Sequence, residues 1–75
     1  MTRAELETML GKEVEVTLVD KTKYTGILRK TRDEAFRDNH NLFYPLRYYF
    51  LTDEANQCNS ALFRVSYVWK CKVIK

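Results

Sequence analysis

From Glu13 onward the apolar residues fall at every second position. Val14, Val16 and Leu18 lie on one side and Glu13, Glu15 and Thr17 on the other, the pattern of a half-buried strand. A second run, Thr22 to Thr31, carries Tyr24, Ile27 and Leu28 around Gly26. Two such runs joined through Asp20-Lys21 predict a hairpin with a tight turn. Gly26 constrains the fold further. A glycine inside a strand weakens it and marks a sharp bend or bulge, the device by which a few strands curl into a small barrel.

Ahead of the hairpin, Thr2 and Glu5 have the spacing of a capping box, and Leu6, Met9 and Leu10 follow at helical spacing before Gly11. This predicts a helix over 3–10 within an N-terminal unit of residues 1–11. At about two turns it is too short to be stable alone, so its apolar stripe must rest on an end or face of the β structure formed by residues 12–75. Residues 32–45 mix charges, asparagines and Pro45 with no surviving period, and read as a long exposed loop. A third strand is expected from Leu46 to Thr52, a polar loop from Asp53 to Ser60, and a fourth strand from Ala61 to Val65. Ser66 and Tyr67 form a junction, and Trp69, Cys71 and Val73 mark a fifth strand.

A chain of 75 residues is read as one domain that buries only about 60% of the surface its unfolded form exposes, so assembly is an expected source of extra stability. Cys58 and Cys71 lack the dense spacing of disulfide scaffolds and any zinc-ligand spacing, and read as free thiols in a reducing cytoplasm. No apolar stretch approaches the roughly 20 residues that span a bilayer, and the N-terminus lacks the pattern of a secretory signal, so no membrane partner is expected. The net charge of +3 is unevenly spread. After Glu54 there are Arg64, Lys70, Lys72 and Lys75 and no acid, a basic end that attracts phosphate or simply keeps the surface soluble.

The order of elements, with Gly11-Lys12-Glu13-Val14-Glu15-Val16-Thr17-Leu18 and then Tyr24-Thr25-Gly26-Ile27-Leu28, resembles the Sm-like family. Asp38-Asn39-His40-Asn41-Leu42 is similar to a displaced form of that family's RNA-binding loop, and Arg64 stands where the family has a basic residue followed by glycine, here Val65. The resemblance implies a mainly β, five-stranded, strongly bent Sm-like or Src-homology-type small barrel with a short N-terminal α-helix. Barrels of the Tudor type share the same strand pattern. It further implies single-stranded RNA as partner, held by Asn39, His40, Asn41 and Arg64 in a homo-oligomeric ring. The edges that would join copies carry Ala61, Phe63, Val65, Trp69, Cys71 and Val73.

Residue chemistry bounds the function from the other side. His40 is the only histidine, and the partners that nucleophilic catalysis or metal binding require are not visible, so neither an enzyme nor a cofactor, metal or small-molecule substrate is expected. Asn39 and Asn41 are also what turns use. Eight of the ten aromatic residues lie between Phe43 and Trp69, interleaved with Arg47 and Arg64, a mixture suited to stacked bases and phosphate. Of these, Tyr48, Phe50 and Phe63 fall at strand spacing and read as core, leaving Phe43, Tyr44 and Tyr49 for display. The alternative is a protein-interaction or assembly module that works through exposed strand edges and surface aromatics.

Overall fold

The computed structural model describes residues 2–33 and 36–74, and the His40 side chain lies outside that description, as do Glu34, Ala35 and Lys75. The chain is mainly β: helix α1 (Arg3–Glu7), strands β1 (Glu13–Leu18) and β2 (Lys23–Lys30), one helical turn α2 (His40–Phe43), strand β3 (Tyr49–Thr52), a 3-10 turn (Val65–Tyr67) and strand β4 (Val68–Val73). The strands form one open antiparallel sheet in the order β3-β2-β1-β4.

Thr2 caps α1 as its spacing predicts. Its Oγ1 accepts the Glu5 N–H at 3.2 Å, while its hydroxyl donates to Glu5 Oε1 at 3.1 Å. The regular helix ends at Glu7 rather than residue 10, and turns carry the chain to Gly11, whose φ of 82° is one that glycine adopts without the strain a Cβ would bring. Leu6 is fully buried, with Met9 and Leu10 half-buried against the same core. The hairpin turn also falls where expected. Asp20 Oδ1 accepts the Thr22 N–H at 3.0 Å, which holds the Asp20 carboxyl below its usual range, and Lys21 takes φ 71°.

Gly26 pairs with Val14, and a Cβ there would sit 2.8 Å from the Thr52 carbonyl oxygen and 3.1 Å from Leu51 Cβ. The glycine therefore serves close approach by β3. One face of the sheet carries the main core of Val14, Val16, Leu18, Leu28, Tyr49, Leu51, Phe63 and Val68 beneath Leu6. On the other face Phe36 and Leu42 pack on Phe50, the two phenyl rings edge to face at 5.0 Å. The 32–45 segment is thus not simply an exposed loop, because it carries apolar residues that cover the far side of β3.

Two expectations are corrected among the described residues. The sheet has four strands, not five: Ala61–Val65 is no strand, although Phe63 exchanges backbone hydrogen bonds with Tyr49 at 2.7 and 2.9 Å. Between those bonds and the bridge from Thr52 to Cys58, the Leu51 N–H donates to Ser60 Oγ at 2.9 Å, so a side chain replaces the backbone acceptor that a ladder needs. The second correction concerns β3, which begins at Tyr49 rather than Leu46 and is buried on both faces. Tyr49, expected on display, is buried in the main core, whereas Tyr48, expected as core, is half-buried before the strand begins. Phe50 is buried as expected, but on the opposite face, against Phe36 and Leu42, so the strand has no exposed side on which Tyr49 could be displayed.

Candidate nucleic-acid interface

The site begins with a backbone clamp. The Thr31 N–H donates to the Tyr48 carbonyl at 3.0 Å, and the Tyr48 N–H donates to Thr31 Oγ1 at 3.4 Å. This joins the two stems of the 32–47 excursion and brings Arg32 and Arg47 to the same end of the molecule. Both arginines adopt positive φ, 69° and 63°. A left-handed backbone costs a residue with a Cβ about 1–2 kcal/mol, and such strain collects where function holds a side chain in place.

Three further cations join them. Arg3 comes from the first turn of α1, Lys30 from the end of β2, and Arg64 from the residue before the 3-10 turn. Arg3 and Arg47, with the edge of Tyr49, are common to two adjoining hollows. One, of about 190 Å³, adds Lys30, Thr31, Arg32 and Tyr48; the other, of about 250 Å³, adds Arg64, Val65 and Ser66. No described residue lining either hollow is acidic. Glu7 Oε1 lies 3.6 Å from Lys30 Nζ at the margin, and the exposure of both side chains makes this a weak tie.

Aromatic rings position the guanidinium groups. Arg64 Cζ lies 5.2 Å from the centre of the Tyr48 ring, and Arg32 Cζ lies 5.6 and 5.9 Å from those of Phe43 and Tyr44, which meet edge to face. An arginine over an aromatic face keeps its N–H fork free for phosphate oxygen while the ring limits its rotamers. Such an arrangement combines cation attraction for a phosphate backbone with flat apolar surface for a base.

A larger hollow of about 490 Å³ lies elsewhere, between Gly11–Glu13, Thr25–Ile27, Thr52–Glu54 and Asn59. Size alone would favour it. Its carboxylates, Glu13, Asp53 and Glu54, outnumber Lys12 and would repel phosphate, so the charge lining the smaller hollows decides between them.

Of the residues expected at an RNA site, Arg64 lies in the basic cluster. Asn39 and Asn41 are exposed and line neither hollow; the Asn39 side chain instead accepts the Asn41 N–H at 3.1 Å, turn chemistry at the start of α2. The role expected of the His40 side chain falls outside the described residues. Among the residues expected to join copies, Phe63 is buried in the domain's own core, Val65 and Cys71 are half-buried, and Ala61, Trp69 and Val73 are exposed. Cys58 and Cys71 are free thiols, and burial pushes the Cys71 thiol up to about 11.

Sequence reasoning missed Arg3, Lys30 and Arg32, and noted Arg47 among the aromatic residues without assigning it to the RNA site. The one available signal was that Arg32 and Arg47 bracket the aperiodic stretch. No helix among the described residues is long and apolar enough to cross a membrane. No family model, curated protein or solved structure matches this chain.

Proposed function

We propose that the chain is a non-enzymatic module that binds single-stranded RNA on its basic-aromatic end, built on a small barrel of the Sm-like or Src-homology type. The observation that carries this reading is the pair of hollows to which the described residues contribute Arg3, Lys30, Arg32, Arg47 and Arg64 and no acid, with rings under two of the guanidinium groups. Phosphates supply the affinity and bases stacked beside Tyr48, Phe43 and Tyr44 supply preference, at ~1–3 kcal/mol per stacked base. The barrel reading is supported by the path of the chain. It runs from the edge of β3 at Phe63, through the 3-10 turn, to β4 on the far side of β1.

Titration of labelled homopolymers of each base at two salt concentrations tests the proposal. Arg64→Ala should weaken binding and lower the slope of log affinity against log salt by about one ion, because one phosphate contact is lost. Absence of saturable binding below ~100 µM, the weak end of non-specific affinity, would remove RNA as the ligand.

A further inference from the structure

Among the described residues, β4 is hydrogen-bonded as a strand on one side only. β1 pairs with it from Val14 opposite Val73 to Leu18 opposite Val68, and the sheet ends there. The outer edge of β4 therefore presents backbone N–H and C=O groups free to pair with another strand. Its surroundings are apolar for a surface: Val19 is 54% exposed, Trp69 59%, Val73 45% and Tyr67 43%.

The register between β1 and β4 slips between Thr17 and Leu18, so that Lys70 faces Thr17, Val68 faces Leu18, and Trp69 has no opposite residue. A bulge of this kind re-aims a side chain. Here the indole borders a small hollow of about 140 Å³ with Val19 and Lys21, and Lys70 Nζ lies 5.1 Å from the Trp69 ring centre.

The charge around this edge is positive, from Lys21, Lys70 and Lys72. The carboxylates of Asp20 and Glu15 lie near the edge and are outnumbered by these lysines. Asp20 accepts from the Thr22 N–H and, at 3.4 Å, from the Tyr67 hydroxyl, while Glu15 lies 3.8 Å from Lys72 Nζ. On its paired side β4 already accepts a strand of alternating acid and apolar residues, Glu13-Val14-Glu15-Val16, with Glu15 opposite Lys72. A strand in a sheet has neighbours on both sides, so a second one of the same pattern would set its acids beside the same lysines from the free side.

We propose that the outer edge of β4 takes an extended acidic segment of another protein as an added strand, with one apolar side chain in the hollow of Val19, Lys21 and Trp69. A second copy of this chain fits less well, because a β4–β4 pairing centred on Cys71 sets Lys70 of each copy against Lys72 of the other, and like charges directly opposite are destabilising. RNA fits less well too, since phosphate oxygens accept only from the N–H groups of an open ladder and leave its carbonyls unpaired. This surface and the basic-aromatic end share no lining residue, so either reading can fail without the other.

Anisotropy titration of the intact chain with a short labelled peptide alternating glutamate and valine tests the proposal. Saturable binding is expected, with the same peptide N-methylated on alternate backbone nitrogens at least ~10-fold weaker, a loss of about 1.4 kcal/mol. The double variant Lys70→Glu with Lys72→Glu should invert the preference toward a lysine-valine peptide, an outcome that a purely structural role for the lysines does not produce. Equal binding of the methylated peptide would overturn strand addition. Displacement of the peptide by homopolymer RNA would assign the surface to nucleic acid. A concentration-dependent doubling of mass without peptide binding would make a second copy the occupant.

Discussion

The basic-aromatic end and the outer edge of β4 have similar side-chain composition, with cations beside exposed rings, but they differ in their backbones. At the first, the Thr31–Tyr48 clamp and the Tyr49–Phe63 pair use the backbone groups of the strand ends, so the cationic and aromatic side chains are what a ligand chiefly meets. At the second, no strand among the described residues pairs with the outer side of β4. A surface with a satisfied backbone recognises charge and flat rings, which is the chemistry of a nucleic acid. One with an open backbone can recognise another peptide chain. The state of the main chain beneath a basic, aromatic surface therefore separates two partner classes that composition alone leaves together.

The most damaging test of this comparison acts on the frame that carries both surfaces. Gly26→Val should destabilise the domain by ~3 kcal/mol or more, because its Cβ would meet backbone oxygen of β3 at 2.8 Å and a backbone atom cannot swing aside. Thermal melts of the variant would check this, and both binding activities should fall together. An unchanged melting temperature would show that β3 does not approach Gly26 so closely.

Next in size, the double variant Arg32→Ala with Arg47→Ala should reduce RNA affinity by at least ~10-fold at low salt and lower the salt slope by about two, while binding of the acidic peptide stays unchanged. Loss of both activities would mean that the two surfaces are not independent. A smaller and opposite effect is expected of Arg47→Gly. Relief of the left-handed backbone at φ 63°, offset by glycine's greater unfolded-state freedom, should raise stability by up to ~1 kcal/mol while RNA binding weakens. Chemical denaturation alongside RNA titration would separate strain held for function from a merely tolerated turn.

How much of this was legible in the sequence depended on distance along the chain. The helix start at Thr2 and the β1–β2 hairpin were legible because capping, alternation and turn chemistry act over a few residues. Ser60 was not, since a serine that takes the Leu51 N–H in place of a strand leaves no local mark. The candidate site divides in the same way. Arg64 stood out within an acid-free stretch, whereas Arg3, Arg32 and Arg47 are brought together only by the packing of α1 and the Thr31–Tyr48 clamp. Tyr49 was misplaced because β3 is buried on both faces, and alternation alone assigns every second residue to solvent.

The smallest predicted effect concerns the edge of the sheet. Burial raises the Cys71 thiol from 9.0 to about 11, so the folded state holds a proton that the unfolded state has lost over that window. Stability should therefore be unaffected below pH 9 and decline as pH rises from 9 toward 11. Cys71→Ala should flatten that decline in urea melts taken across the range, although the partial exposure of the site keeps the effect modest. An identical slope in the variant would show that the thiol is not desolvated beside β1.

Trp69 is the sole tryptophan of the chain and stands more than half exposed. Its indole is in contact with water before and after unfolding, so its emission maximum should shift little through a melt, and far-ultraviolet circular dichroism is the better measure of stability. The same position makes Trp69 an intrinsic optical probe of one strand edge: a blue shift would report that something has covered β4, without any label on the protein.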